Sequence, residues 1–234
     1  MARAPRLALA GELHHLMQRG HNRQTVFADD LDRKAYLTML RDAAAHCAVS
    51  IHAYALLNTE VHLLATPNGA ASLARLMQSL GRRYVAAFNR RHGRSGTLWE
   101  GRFRASVIDA VLLGQPAIVY IETAAIRAGL VSAAVDWPWS SADHHLGLRR
   151  DPVVTEHPAY WALGNTPFDR EYAHAHKLEE GVSRVQIDLL ERAVMRGRTA
   201  GSRDFAMAIE KRTGLPQHSR PRGRPVTRSL QYGK

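Results

Sequence analysis

Residues 49–69 read VSIHAYALLNTEVHLLATPNG. Two short apolar runs, 49–57 and 61–66, are separated by the polar break Asn58-Thr59-Glu60 and closed by Pro67-Asn68-Gly69. Runs this short between turn residues predict a pair of adjacent strands. On the N-terminal side, LHHLMQR (13–19) predicts another strand, ended by Gly20-His21-Asn22. Asp29 or Asp30 then caps a helix whose apolar positions, Leu31, Ala35, Leu37, Leu40 and Ala44, run to about residue 46. On the C-terminal side a long helix is expected over 71–91, with Leu73, Leu76, Met77, Leu80, Tyr84 and Phe88 along one side. A loop (92–96) and a further strand within 98–108 follow. Pro116 is then expected to start a helix that reaches Arg127 and stops at Gly129. The order β-α-β-β-α-β is that of an α+β fold, a ferredoxin-like antiparallel sheet with helices on one face.

Beyond Trp137-Pro138-Trp139 the pattern weakens. The expected organisation is a sheet domain over 1–147 and a linker over 148–180, suggested by the prolines at 152, 158 and 167. A small C-terminal helical extension over 181–214 and a basic tail over 215–234, disordered on its own, complete it. With 234 residues, 45% of them hydrophobic and 23% charged, the chain can bury a real core. A single cysteine, Cys47, excludes a disulfide framework and a cysteine-built zinc site. No apolar run approaches the roughly 18 residues of a membrane helix, and the N-terminus lacks the pattern of a signal peptide. A cytoplasmic protein with no membrane partner is the expectation.

The net charge of +11 is concentrated. Residues 75–104 carry eight arginines against one acid, Glu100, and residues 211–234 carry seven Lys and Arg with no acid. Clustered arginine suits a polyphosphate partner, because each neutralised phosphate releases condensed counterions. Arg82, Arg83, Arg90 and Arg91 on the long helix, with Arg102 and Arg104 beyond it, are the expected phosphate contacts. In the tail, Arg220, Arg222 and Arg224 sit in an Arg-Gly-Arg-Pro setting that resembles AT-hook segments, which lay arginines into the A·T-rich minor groove.

Two places could carry chemistry. Glu60 and His62 stand at i and i+2 at the start of a strand, on one face and roughly 7 Å apart, where a carboxylate and an imidazole could grip one ion. Tyr120 lies in IVYIETAAIRAGLV, and a tyrosine can be a nucleophile when activated, although a mid-helix tyrosine is more often core. His14 and His15 point to opposite faces of their strand, so at most one approaches such a site; each reads as a structural histidine.

The strings HLMQRG (15–20), LLNTEVHLLATP (56–67), RRYVAAFNRRHGRSGTLWEGRF (82–103), YIETAAIRAGLV (120–131) and WPWSS (137–141) resemble, in order and spacing, the single-tyrosine HUH transposases. Within these the chain most resembles the REP-associated tyrosine transposases, relatives of insertion-sequence transposases, over roughly residues 10–147 and more weakly over 167–225. The resemblance implies a ferredoxin-like sheet in which a His-hydrophobic-His pair binds Mg²⁺ or Mn²⁺. It further implies a helix tyrosine that attacks a phosphodiester of single-stranded DNA beside a hairpin, forming a 5′-phosphotyrosine link and releasing a 3′-hydroxyl. By position Tyr120 becomes the nucleophile and His62 a metal ligand. Glu60 stands where the family has its first histidine, a change a hard cation tolerates. Ala124 occupies the position of a helix ligand and Ala125 that of a proline, so the sequence departs from the family twice more. The expected function is therefore a monomeric or homodimeric nuclease and strand-transfer enzyme. Its rivals are a DNA hairpin or A·T-rich DNA-binding module that no longer cuts, and a binder of RNA hairpins.

Overall fold

The computed structural model describes residues 7–217. Strand β1 (Leu13–Arg19) leads into helix α1 (Asp30–Cys47), which Asp29 caps by accepting from the Leu31 and Asp32 amides. Strands β2 (Val49–Leu56) and β3 (Glu60–Pro67) form a hairpin across Asn58-Thr59, followed by helix α2 (Ser72–Arg91) and strand β4 (Arg104–Ile108). The sheet order is β2-β3-β1-β4, and every neighbouring pair is antiparallel. This is the ferredoxin-like α+β arrangement, with β4 confined to the second half of the predicted stretch.

Strand alternation divides the molecule. Leu16 of β1 and Val61, Leu63 and Ala65 of β3 face α1 and α2, where Tyr36, Leu40, Leu73, Leu76, Leu80 and Tyr84 are almost wholly buried. Helices α1 and α2 thus share one face, as the topology requires. The opposite face is not bare. It is covered by helix α3 (Ala110–Glu122), and Leu13, Ala53, Ala55 and Leu64 of the sheet pack against Leu113, Ala117, Ile118 and Ile121.

Helix α3 begins six residues before Pro116, the position at which the sequence suggested a start. Asp109 is the cap, accepting from the Leu112 amide, and Pro116 lies inside the helix. The lost backbone bond is outweighed by burial of the apolar side on either side of the proline. The helix stops at Thr123, whose hydroxyl donates to the Val119 carbonyl, and a short helix α4 (Ala124–Arg127) resumes beyond it.

Residues 148–180 are not a bare linker. After α5 (Ala142–His145) they hold α6 (Pro158–Trp161) and the longer α7 (Pro167–Glu180). Pro158 and Pro167 each open a helix, where a missing N–H costs nothing, and Thr166 and Asp169 form a capping box at α7. Helices α8 (Arg184–Arg196) and α9 (Arg203–Thr213) complete the extension close to the predicted spans. The WPWSS segment runs beside the edge strand β2: Leu56 donates to the Trp139 carbonyl and Ser141 to the Tyr54 carbonyl. Among the described residues no helix is long and apolar enough to cross a membrane.

Leu76→Ala, which hollows the face between α2 and the sheet, is expected to lower stability by about 2–5 kcal/mol in urea unfolding. Arg82→Ala, on the exposed side of the same helix, should stay within about 0.5 kcal/mol of the parent.

Candidate active site

Glu60 opens β3, and the two-residue period of the strand places it on the same face as His62 and Leu64. Antiparallel pairing sets Arg19 opposite Glu60, Met17 opposite His62 and His15 opposite Leu64. A row of polar groups results. Arg19 Nε donates to Glu60 Oε2 at 2.7 Å, and Glu60 Oε1 lies 3.2 Å from His62 Nε2. His62 Nδ1 shares a 2.9 Å hydrogen bond with His15 Nε2, and the two rings stack with centroids 5.2 Å apart.

Helix α3 brings Tyr120 onto the end of this row. Its ring stands edge-on to both imidazoles, with centroids 5.7 Å from His15 and 6.4 Å from His62. Tyr120 is only 3% exposed. What covers it is a cation rather than hydrocarbon alone: the Arg127 guanidinium lies 3.8 Å from the ring centroid. Arg127 is exposed on its outer side and also lines an open cleft of about 540 Å³, together with Thr123, Ile126, Leu146, Leu178 and Ile187.

Charge is set by these contacts. Burial alone would raise the Glu60 carboxyl, but hydrogen bonds from His62 and Arg19 outweigh it and bring it down to about 2. Burial, reinforced by His62 and Arg127, holds His15 well below the ordinary histidine value, so it is neutral at pH 7. Burial pushes the Tyr120 phenol up to about 12, with Arg127 opposing that rise.

Of the expected site residues, Glu60, His62 and Tyr120 come together. Ala124 lies past the break at Thr123, buried against α3, and offers no ligand. Glu60 Oε1 and His62 Nε2 fit a hard divalent ion with two protein donors, the rest of its shell being water. The arginines are distributed differently from expectation. Helix α2 is across the sheet from Tyr120, so Arg82, Arg83 and Arg90, all exposed, do not reach the row. Arg83 stands 3.6 Å from Asp42. Arg91 is not an available phosphate contact: its guanidinium is bonded to Asp29 and Asp32, an ion-pair cluster that ties the end of α2 to the start of α1. Arg104 is half-buried and donates to the Met195 carbonyl on α8, whereas Arg102 is exposed. Arg220, Arg222 and Arg224 lie outside the described residues.

Three site residues escaped the sequence reading. Arg127 follows Tyr120 by seven residues, a two-turn spacing that was available as a signal. Arg19 and His15 share strand parity with each other, but their partners depend on the β1–β3 register. His15 is the correction here, because it is part of the row rather than a separate structural histidine. A further group assembles behind α3. Among the described residues, Glu122, His145 and His174 are the three-residue group whose ligand atoms all lie within 4.8 Å of one another, and all three are fully buried.

Residues 12–123 match the family model described as "Transposase IS200 like". Over this segment the chain is similar to that family. The matched segment runs from the start of β1 to the end of α3 and therefore contains the whole row from Arg19 to Tyr120. A solved structure described as a REP-associated tyrosine transposase bound to a REP hairpin aligns with a TM-score of 0.51 at 20% identity, covering 67% of this chain and 93% of that one. That likeness shows a shared fold. A Deinococcus radiodurans R1 protein classed provisionally as a transposase aligns at 23% identity over 47% of this chain and 88% of its own, with a TM-score of 0.35 that carries no argument. No curated protein matches the chain.

The depressed Glu60 carboxyl has a thermodynamic consequence. A group lowered in the fold adds stability that is present above its unfolded value near 4.5 and lost as pH falls through about 2. In urea unfolding between pH 7 and pH 2, the parent should therefore lose more stability across this window than Glu60→Gln does.

Proposed function

We propose that this IS200-like transposase domain is a metal-dependent nuclease that nicks and rejoins single-stranded DNA beside hairpins. The observation that carries the reading is the meeting of Tyr120 with the Glu60–His62 pair on one face of the sheet. The Tyr120 oxygen forms a bond to phosphorus, the bond from phosphorus to the 3′-oxygen breaks, and that oxygen leaves with a proton as a 3′-hydroxyl. The 5′-phosphate stays on the tyrosine, which conserves the phosphodiester for rejoining. Glu60 and His62 would hold Mg²⁺ or Mn²⁺, which when bound would supply charge neutralisation at the phosphate. Arg127 is placed to exchange its contact with the Tyr120 ring for a phosphate, which uncovers the phenol as the strand enters.

DNA recognition rests on the exposed arginines Arg82, Arg83, Arg90 and Arg102, with Arg220, Arg222 and Arg224 adding minor-groove or nonspecific affinity. A hairpin partner is supported by the REP hairpin in the solved relative. The protein works in the cytoplasm as a monomer or homodimer. Ala124 and the cover over Tyr120 favour a second reading, a hairpin-binding module that has lost cleavage.

Labelled single-stranded hairpin oligonucleotides with Mg²⁺ or Mn²⁺ should give a covalent protein–DNA adduct on denaturing gels. Tyr120→Phe should abolish it, and Arg127→Ala should slow it at least about tenfold, the loss of one charge-assisted contact. Binding without adduct under either ion would leave the binding module as the function. In salt titrations, Arg82→Ala and Arg90→Ala should each reduce the slope of log K against log salt by about 1. Arg91→Ala should instead lower the melting temperature.

A further inference from the structure

Behind the tyrosine helix lies a second polar centre with no part in the cleavage reading. Glu122, the last residue of α3, meets His145 of α5 and His174 of α7, and each side chain is completely buried. His145 Nδ1 stands 2.6 Å from Glu122 Oε1 and His174 Nε2 stands 2.7 Å from Oε2. Ser141 Oγ donates to Oε1 at 2.6 Å, and the Gln115 amide lies 3.1 Å from the far nitrogen of His174. Among the described residues, the ion-pair partners of this carboxylate are the two imidazoles.

A carboxylate in this position needs positive charge, because a buried and unneutralised anion is strongly disfavoured. Either an imidazole carries an extra proton or a cation sits among the three donors. A divalent cation leaves both rings neutral. Two imidazole nitrogens and one carboxylate are the donor set of a borderline ion such as Zn²⁺. Mg²⁺ dehydrates reluctantly, so a pocket this dry selects against it. Ser141 Oγ, which donates to the Glu122 carboxylate, occupies an outer position from which a metal ligand is usually oriented.

We propose that Glu122, His145 and His174 form a structural site for a zinc-class divalent cation, separate from the Glu60–His62 pair. The site staples α5 and α7 to the end of the helix that carries Tyr120. It is closed on all sides, so its ion serves the fold and touches no substrate.

The test uses the full-length protein stripped with chelator and titrated with Zn²⁺, followed by calorimetry and elemental analysis. One equivalent should bind, and saturating Zn²⁺ should raise Tm by about 5–10 °C over the stripped protein. A Glu60→Ala/His62→Ala double variant should keep this equivalent, whereas Glu122→Gln and His174→Gln, checked for folding by circular dichroism, should lose it. No stoichiometric binding, or a Tm indifferent to both chelator and Zn²⁺ in the parent protein, would overturn the site and leave a shared proton as the closing charge. Loss of the ion in the Glu60/His62 variant with retention in the Glu122 variant would also overturn it. Neither result depends on whether the protein cleaves DNA.

Discussion

The site depends on the register with which β1 lies against β3. Arg19 opposite Glu60 is a cross-strand ion pair, and one step along each strand face from it come His62 and then His15. Because side chains alternate, a one-residue slip would carry Glu60 and His62 to the α1–α2 face and drive Val61 and Leu63 toward α3. The apolar partition of the sheet therefore enforces the polar row. The Arg19–Glu60 pair also holds one carboxylate oxygen, leaving the other directed at His62.

The two faces of the sheet are packed by different means. Toward α1 and α2, large side chains fill the space, with Tyr36 edge-on to both Phe27 and Tyr84. Toward α3 the sheet offers Ala53 and Ala55 and the helix offers Ala117. Small residues on both sides let the helix approach the sheet. This approach is what brings the Tyr120 ring to the imidazoles rather than leaving it above a layer of leucines. A close-packed interior has little room to move, so the helix ends need independent anchors, and the Glu122 cluster supplies one at the end of α3.

The distribution of cations separates structural from available charge. Arg91 is consumed by two aspartates, Arg33 lies among the rings of Phe27, Trp137 and Trp139, and Arg104 is spent on a carbonyl. Composition counts these with the exposed Arg82 and Arg90, for which no such buried or bonded role is seen among the described residues. In the polar row the cations are Arg19, at the Glu60 end, and Arg127, over the Tyr120 ring, and neither lies in the two basic segments that dominate the net charge. The exposed arginines of α2 and the arginines of the polar row thus lie on opposite faces of the sheet.

How much was legible in the chain follows from the range of each interaction. The hairpin at 49–67, the capped helix after Asp29 and the shared face of Glu60 and His62 are periodic, local features, so apolar spacing alone determined them. The prolines at 158 and 167 misled because a proline that opens a helix and one that rides in a linker look alike until the cap is seen. Tertiary structure decided what meets what. His15 joins His62 across 47 residues, and Glu122 meets His145 and His174 across 23 and 52. Such contacts depend on strand register and on how closely a helix can approach a sheet. Both are properties of the packed whole, where burial of many side chains fixes the position of a few polar ones.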